Sequence, residues 1–517
     1  MNLLRPRAAA LSTGAALLVA LVATIPQVVS GHISRDSGVF LYTGMVVSRG
    51  GMPYVDSWDH KGPLLAAIET VAWRMGGGIA GAPLLEGLSL FLGLAVAGLI
   101  WTRWIGRGAA PVMLLTGVTY LAVFEGGNFT ETWLFPVQLV AYSLAGHVAM
   151  RSGREASTRA VASLALALGA ALAVGLFTRV NNVVGVMLVV AGGLVYLRRR
   201  ALFGAVVFTV VGVVGLGLGL WLWSGDALRA GIDQYVTYNL FYSGGASTGD
   251  RVAAFATLAQ LLVSGAVVAA ALASTAAWLV VRRGTGAVSS RVVVVVVLFT
   301  VVGAADALSQ MVSGRPYPHY LVVAIAAFAV VIVAVGPRLL SGWPRSSRVS
   351  GRVARTGMSV AAAVLVVLVV SPSASTAAQG LRTVTGTGVF VPGSYQAQLV
   401  DRVLAETSPD DRVLVHGAET WILAASHRLS ATPITYSLPV EQGYGGLARK
   451  YLADVTAFPP ALIVESPTSC GISTECPPGA AHFSGLAPFV ASSYELEGDI
   501  VGFRFWRRVP DAVSPSS

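Results

Sequence analysis

The chain has 517 residues, 55% of them hydrophobic and only 12% charged, with a formal net charge of +10 and a mean hydropathy of +0.70. That balance excludes an ordinary soluble enzyme, in which about a quarter of residues are charged. The cations stand in short clusters between apolar runs, a pattern of membrane topology that excludes a nucleic-acid groove and a nucleic-acid partner.

Apolar runs of about 20 residues recur along the chain, each long enough to cross a hydrocarbon core of roughly 30 Å. Hydropathy and loop charge predict about eleven spans. They fall near 8–30, 83–102, 109–124, 130–150, 159–177, 180–197, 202–223, 254–281, 291–311, 319–337 and 356–372. Arg5 and Arg7 precede the first run, as in a signal peptide. The run is longer than a usual signal core and lacks a clear small-x-small cleavage site, so it reads as an uncleaved span.

Counted from a cytoplasmic N-terminus, the inner loops hold Arg103 and Arg107, then Arg151, Arg154 and Arg159, then Arg198, Arg199 and Arg200. Arg282, Arg283 and Arg291 follow, and then Arg338, Arg345, Arg348, Arg352 and Arg355. Every basic cluster lands on one side, as the positive-inside rule requires. The expectation is a multi-pass plasma-membrane protein with its N-terminus in the cytoplasm. The first loop, the Glu125–Glu131 turn, the Trp223–Arg251 loop, the Ser313–His319 turn and everything after about 373 then lie outside.

The first loop packs Asp36, Asp56 and Asp59 with His60 and Lys61 into an otherwise oily protein. Charge beside a bilayer is costly unless it is solvated or used, so such a cluster is a functional candidate. Each member also has a plainer reading. Asp36 is a helix-capping or surface residue, Asp56 and Asp59 shape a turn after Pro53-Tyr54, and Lys61 snorkels to the interface. Other outer turns add candidates. Glu131 follows Glu125-Gly126-Gly127-Asn128 and could equally be a carboxylate at a helix N-terminus. Arg179, beside Asn181 and Asn182, breaks the inside-only placement of arginines and suits a phosphate. Arg315, His319 and Tyr320 enter the tenth span and could instead anchor it at the interface. Asp306, within the ninth span, has to be solvated, paired or neutral.

From about 373 the chain changes character. Ser371-Pro372-Ser373-Ala374-Ser375-Thr376 has a linker's composition, and a small α/β domain is expected after it. Asp411 to Gly417 reads as a strand ending in a turn, Thr420 to His427 as a helix, Ala461 to Glu465 as a second strand and Ile500 to Phe505 as a third. No glycine-rich phosphate loop follows the first strand, which argues against a nucleotide site. The two cysteines, Cys470 and Cys476, lie close together, and an oxidising outer face would favour a disulfide over two free thiols. The expected division is therefore a membrane domain over 1–372, with the first outer loop and its juxtamembrane helices over 31–80, and an extracytoplasmic domain over 373–517.

Taken in order, the motifs resemble the GT-C class of polyprenyl-phosphate-sugar-dependent glycosyltransferases, in the family 39-like branch with the protein mannosyltransferases and the lipid A aminoarabinose transferase. They are Arg35-Asp36-Ser37-Gly38, the run Pro53-Tyr54-Val55-Asp56 through Asp59-His60-Lys61-Gly62-Pro63, the Gly127-Asn128…Glu131 turn and the His319-Tyr320 pair. The resemblance implies a polytopic α-helical fold and inverting transfer of a sugar from a polyprenyl phosphate to an extracytoplasmic hydroxyl. It implies Asp36 as base, with Asp56 and Asp59 beside it, and Lys61 on the donor phosphate. Glu131, Arg179, Arg315, His319 and Tyr320 become substrate contacts. Relatives commonly show Lys-Pro-Pro where this chain has Lys61-Gly62-Pro63, which loosens the placement of the lysine. Some relatives use a divalent metal, so that cofactor stays open, as does the acceptor among cell-envelope glycan, lipid and protein. Two rival readings are a lipid-linked-sugar flippase or secondary transporter, against which no paired halves with broken helices are found, and a non-catalytic membrane scaffold or sensor.

Overall fold

A computed structural model describes residues 6–245, 247–273, 275, 290–341, 370–476, 483 and 485–509. The first helices are α1 Pro6–Ser30, α2 Arg35–Ser48, α3 Pro63–Gly76, α4 Gly81–Ile105, α5 Ala109–Ala122 and α6 Thr130–Arg151. Then come α7 Thr158–Thr178, α8 Val184–Tyr196, α9 Arg200–Ser224, α10 Leu228–Ile232, α11 Tyr238–Gly244 and α12 Thr248–Ser264. After these follow α13 Ser290–Gln310 and α14 Val322–Ser341. The C-terminal part contributes α15 Tyr395–Glu406, β1 Arg412–His416, α16 Trp421–Ser426, β2 Leu429–Ser430 and α17 Leu447–Ala457. It ends with β3 Leu462–Glu465, α18 Leu486–Ser493, β4 Tyr494–Ile500 and β5 Phe503–Arg508.

Among the described residues seven helices are long and apolar enough to cross a membrane, or eight if Thr248–Leu262 and Ala266–Ala273, bent by 69°, form one span. A helix meets every backbone hydrogen bond internally, which lipid demands, and the protein is a polytopic α-helical membrane protein. The count differs from the expected eleven for identifiable reasons. The spans expected at 83–102 and 109–124 lie in one apolar stretch, Gly81–Ala122. The span expected at 180–197 is shorter, because Val180–Val183 forms a 3-10 turn before α8. The span expected at 356–372 lies almost wholly outside the described residues.

The chain forms two compact units, one of Met1–Ile25, Glu86–Gly217 and Tyr242–Arg382, the other of Pro26–Leu85, Leu218–Phe241 and Thr383–Ser517. Compactness thus groups the residues differently from a single division at 372 and 373. In the first unit the stretch Pro318–Val335 is 94% buried and forms the axis of an apolar core shared with α4 to α8 and α13. Asp306 is fully buried there. Its carboxylate accepts hydrogen bonds from the Gly185 amide (2.8 Å), Gln138 Nε2 (3.0 Å) and the Tyr142 hydroxyl (3.2 Å). It therefore caps the start of α8, where unmet backbone amides favour a carboxylate.

The second unit is built on a five-stranded sheet of order β2-β1-β3-β5-β4. β1 runs parallel to β2 and β3, and β5 runs antiparallel to β3 and β4. The first two expected strands and the helix between them are present. The third requires correction, because 500–505 is the corner of the β4–β5 hairpin. Val501 and Gly502 take positive φ, 52° and 85°, as a two-residue hairpin turn of the primed type requires. The apolar run Ile500-Val501…Phe503 hides that turn. Cys470 and Cys476 are joined in a disulfide. One apolar core runs from Leu41, Tyr42 and Met45 of α2 and Trp73 of α3 to Val413 and Val415 of β1, Leu462 and Val464 of β3 and Phe505 of β5. The first-loop helices are thus part of the sheet's own core.

Candidate active site

Ser34 caps α2, its hydroxyl accepting the Ser37 amide at 3.3 Å. Asp36 follows in the first turn, exposed at the positive end of the helix. After α2 the chain turns sharply. Asp56 accepts the Met52 amide at 2.7 Å, which closes that turn and commits this exposed carboxylate to it. The Trp58 amide donates to the Pro433 carbonyl at 2.8 Å. Asp59 then bends back on the chain, one oxygen accepting the amides of His60 (2.7 Å) and Lys61 (3.3 Å). This Asx-type turn delivers Lys61 just before α3, which opens with Pro63 in its first turn.

Asp59 is 7% exposed. Burial pushes its carboxyl up to about 6, against the opposing pull of the Lys61 charge and the two amides, while the charge of Asp36 pushes the same way as burial. Asp36 and Asp59 are therefore within electrostatic reach of each other. The Lys61 ammonium lies 3.1 Å from His60 Nε2. An ammonium only donates, so that nitrogen accepts and Nδ1 carries the proton. Nδ1–H points to the Tyr436 hydroxyl at 2.8 Å. Gln234 braces the turn by accepting the Asp59 amide (3.1 Å) and donating to the Tyr54 carbonyl (2.7 Å). Tyr54 donates to the Lys61 carbonyl, and Asn239 to the His60 carbonyl, both at 2.7 Å. Trp58, Tyr238 and Tyr436 wall the turn with edge-to-face rings.

The first unit holds a separate polar group. Arg179 ends α7 in extended backbone and donates to Glu131 at 2.5 Å. Its guanidinium also lies 4.2 Å from the centre of the Tyr320 ring, a cation–π contact. Glu131 is 1% exposed and takes a second bond from Thr130 at 2.9 Å. Gln310 donates to Asn182 at 3.1 Å, and Ser309 to the Asn181 carbonyl at 3.0 Å, which tie the turn after Arg179 to the end of α13. His319 meets Glu125 at 2.6 Å and stacks on Phe129 at 3.8 Å.

Of the residues singled out in the sequence, Asp59 and Lys61 meet at one turn of the second unit, with Asp36 within electrostatic range of Asp59, while Asp56 serves its own turn. Glu131, Arg179 and Tyr320 converge in the first unit, with His319 packed edge-on to Tyr320. Arg315 is exposed on its turn, where it engages Tyr242. Sequence reading missed Gln234, Glu419 and Tyr436, whose partners are distant in the chain. Among the described residues no three His, Cys, Asp or Glu side chains gather as a group able to hold a metal. The unprotonated nitrogen of His60 already accepts from the Lys61 ammonium. Among the described residues the first-loop donors therefore offer no ready set for a divalent ion.

Two solved structures share this fold, both crystal structures of ArnT from Cupriavidus metallidurans. The form bound to undecaprenyl phosphate is 15% identical, with a TM-score of 0.56, over 96% of this chain and 98% of that one. The apo form is 14% identical, with a TM-score of 0.59, over 96% and 97%. No protein-family model and no curated protein matches the chain.

Proposed function

We propose that this chain is an integral-membrane glycosyltransferase that moves a sugar from a polyprenyl phosphate to a hydroxyl on the outer face of the membrane. The observation that carries the reading is the first loop itself. An exposed carboxylate, Asp36, in the first turn of α2 and a lysine, Lys61, held by the turn before α3 both act electrostatically on Asp59. The ArnT fold, solved with undecaprenyl phosphate bound, supports a lipid-phosphate donor. In the proposed reaction the acceptor oxygen attacks the anomeric carbon from the face opposite the phosphate. The bond from that carbon to the phosphate oxygen breaks, and the phosphate leaves with the electron pair. Asp36 takes the acceptor's proton, and the anomeric configuration inverts. Lys61 offsets the charge on the departing phosphate. Asp59 is buried and tied to two amides, so it shapes the loop and leaves Asp36 as the base.

The test uses membrane-inserted variants. Lipid-linked and envelope sugars are compared by mass spectrometry with and without the gene to identify the donor, and donor binding is measured separately. Asp36→Asn keeps size and some hydrogen bonding but cannot accept the proton. It should retain binding and lose turnover by about 10²–10⁴-fold. Lys61→Ala should weaken binding strongly, and Lys61→Arg less. Near-normal turnover in Asp36→Asn would remove it as the base.

A further inference from the structure

We propose that Tyr436, in the C-terminal part of the second unit, is a positioning residue for the donor phosphate and acts through His60 on Lys61. The inference rests on the reading of Lys61 as the phosphate contact. A lysine side chain has four rotatable carbons and about 2 kcal/mol of rotamer entropy, so an ammonium at the mouth of a loop has no fixed place unless an acceptor gives it one. Here the acceptor is His60 Nε2, at 3.1 Å. Neutral imidazole has two tautomers, and only the one with its proton on Nδ1 leaves Nε2 free to accept. The ammonium fixes that tautomer, and the Tyr436 hydroxyl, 2.8 Å from Nδ1, accepts its hydrogen bond and holds the ring plane.

The tyrosine is itself well placed. It is 8% exposed, lies edge-on to Trp58 with ring centres 5.5 Å apart, and follows Pro433, whose carbonyl accepts the Trp58 amide at 2.8 Å. The same C-terminal part grips the loop's other end, since Glu419 accepts from Arg35 at 2.5 Å and Thr468 does so at 2.8 Å. Arg35 immediately precedes Asp36. The C-terminal part thus holds both ends of the loop that carries the base and the phosphate lysine. Its contribution to catalysis is the placement of two groups that it does not itself supply.

The experiment measures binding of undecaprenyl phosphate to the full-length purified protein, together with turnover on the native donor. Tyr436→Phe keeps the ring and removes the hydroxyl. It should weaken binding about 2–10-fold, the range of one hydrogen bond, and lower turnover on the native donor as well. In a His60→Ala background the same change should cause no further loss, because the link is already cut. A purely structural tyrosine would instead give losses that add, since its effect would not pass through His60. Additive losses, or unchanged binding in Tyr436→Phe, would overturn the proposal. If Tyr436→Phe does not fold, His60→Ala alone reads the link from its other end and should itself weaken binding, and unchanged binding there overturns the proposal too. Lys61→Ala separates the two levels of inference. If it weakens binding and Tyr436→Phe does not, only the positioning role fails. If Lys61→Ala binds normally, the phosphate role fails and the positioning role falls with it.

Discussion

Burial sets what Asp59 can do. Its carboxyl, normally near 3.8, sits at about 6 chiefly because it is shut away from water. The folded chain therefore holds this proton more tightly than the unfolded chain does between about pH 4 and 6. Stability from this residue is greatest below that window, falls as pH rises through it, and is level above it. Asp59→Asn keeps an oxygen for the two amides and has no proton to lose. The wild-type thermal midpoint should fall more steeply than the variant's between pH 4 and 6, and parallel curves would show that Asp59 does not titrate there. At this scale the sequence was legible where chemistry was out of place. Asp36 and Lys61 are visible because charge is rare beside apolar spans. Tyr436 was not, because its partner His60 is 376 residues away, and Gln234 reaches Asp59 across 175 residues. No local pattern carries such contacts.

At the scale of elements, α2 is held by close approach on two sides. A Cβ on Gly38 would lie 2.5 Å from the Trp421 amide nitrogen, and one on Gly44 would lie 2.6 Å from the Glu69 carbonyl oxygen. Both obstacles are backbone, so neither can swing aside. Gly38→Ala should push α2 off α16, destabilise the protein by about 1–3 kcal/mol and disturb Asp36 two residues away. Gly212→Ala on α9, where nothing lies within 4 Å, should not lower the midpoint. Equal midpoints for the two variants in differential scanning fluorimetry would contradict the close packing. Element type was readable for the strands at 412–416 and 462–465, which are short apolar runs. The β4–β5 hairpin was not, because its turn is made by Val501, a β-branched residue rarely found at positive φ.

Across the whole molecule, hydropathy located the spans because lipid imposes one solution on the backbone. It gave no sign that 26–85 and 218–241 join 383–517 in one unit, since that depends on which side chains meet. Orientation rests on the arginines and can be checked directly. Cys470 and Cys476 are bonded, so a new cysteine can be labelled without background from them. Pro316→Cys should react with an impermeant thiol reagent in intact cells, and Arg199→Cys should not. Both positions are exposed, and equal labelling would overturn the proposed orientation. The interleaving of the second unit also bears on how the protein is made. The amide of Ser430 reaches the hydroxyl of Tyr42 across 388 residues. At a synthesis rate of roughly 5–20 residues per second, about 20–80 seconds pass between the emergence of one and the other. For that interval Leu41, Tyr42 and Met45 are finished but have no sheet to pack against. A chaperone or the bilayer surface must shelter them. The loop that carries Asp36 and Lys61 acquires its braced shape only after the ribosome has passed Tyr436.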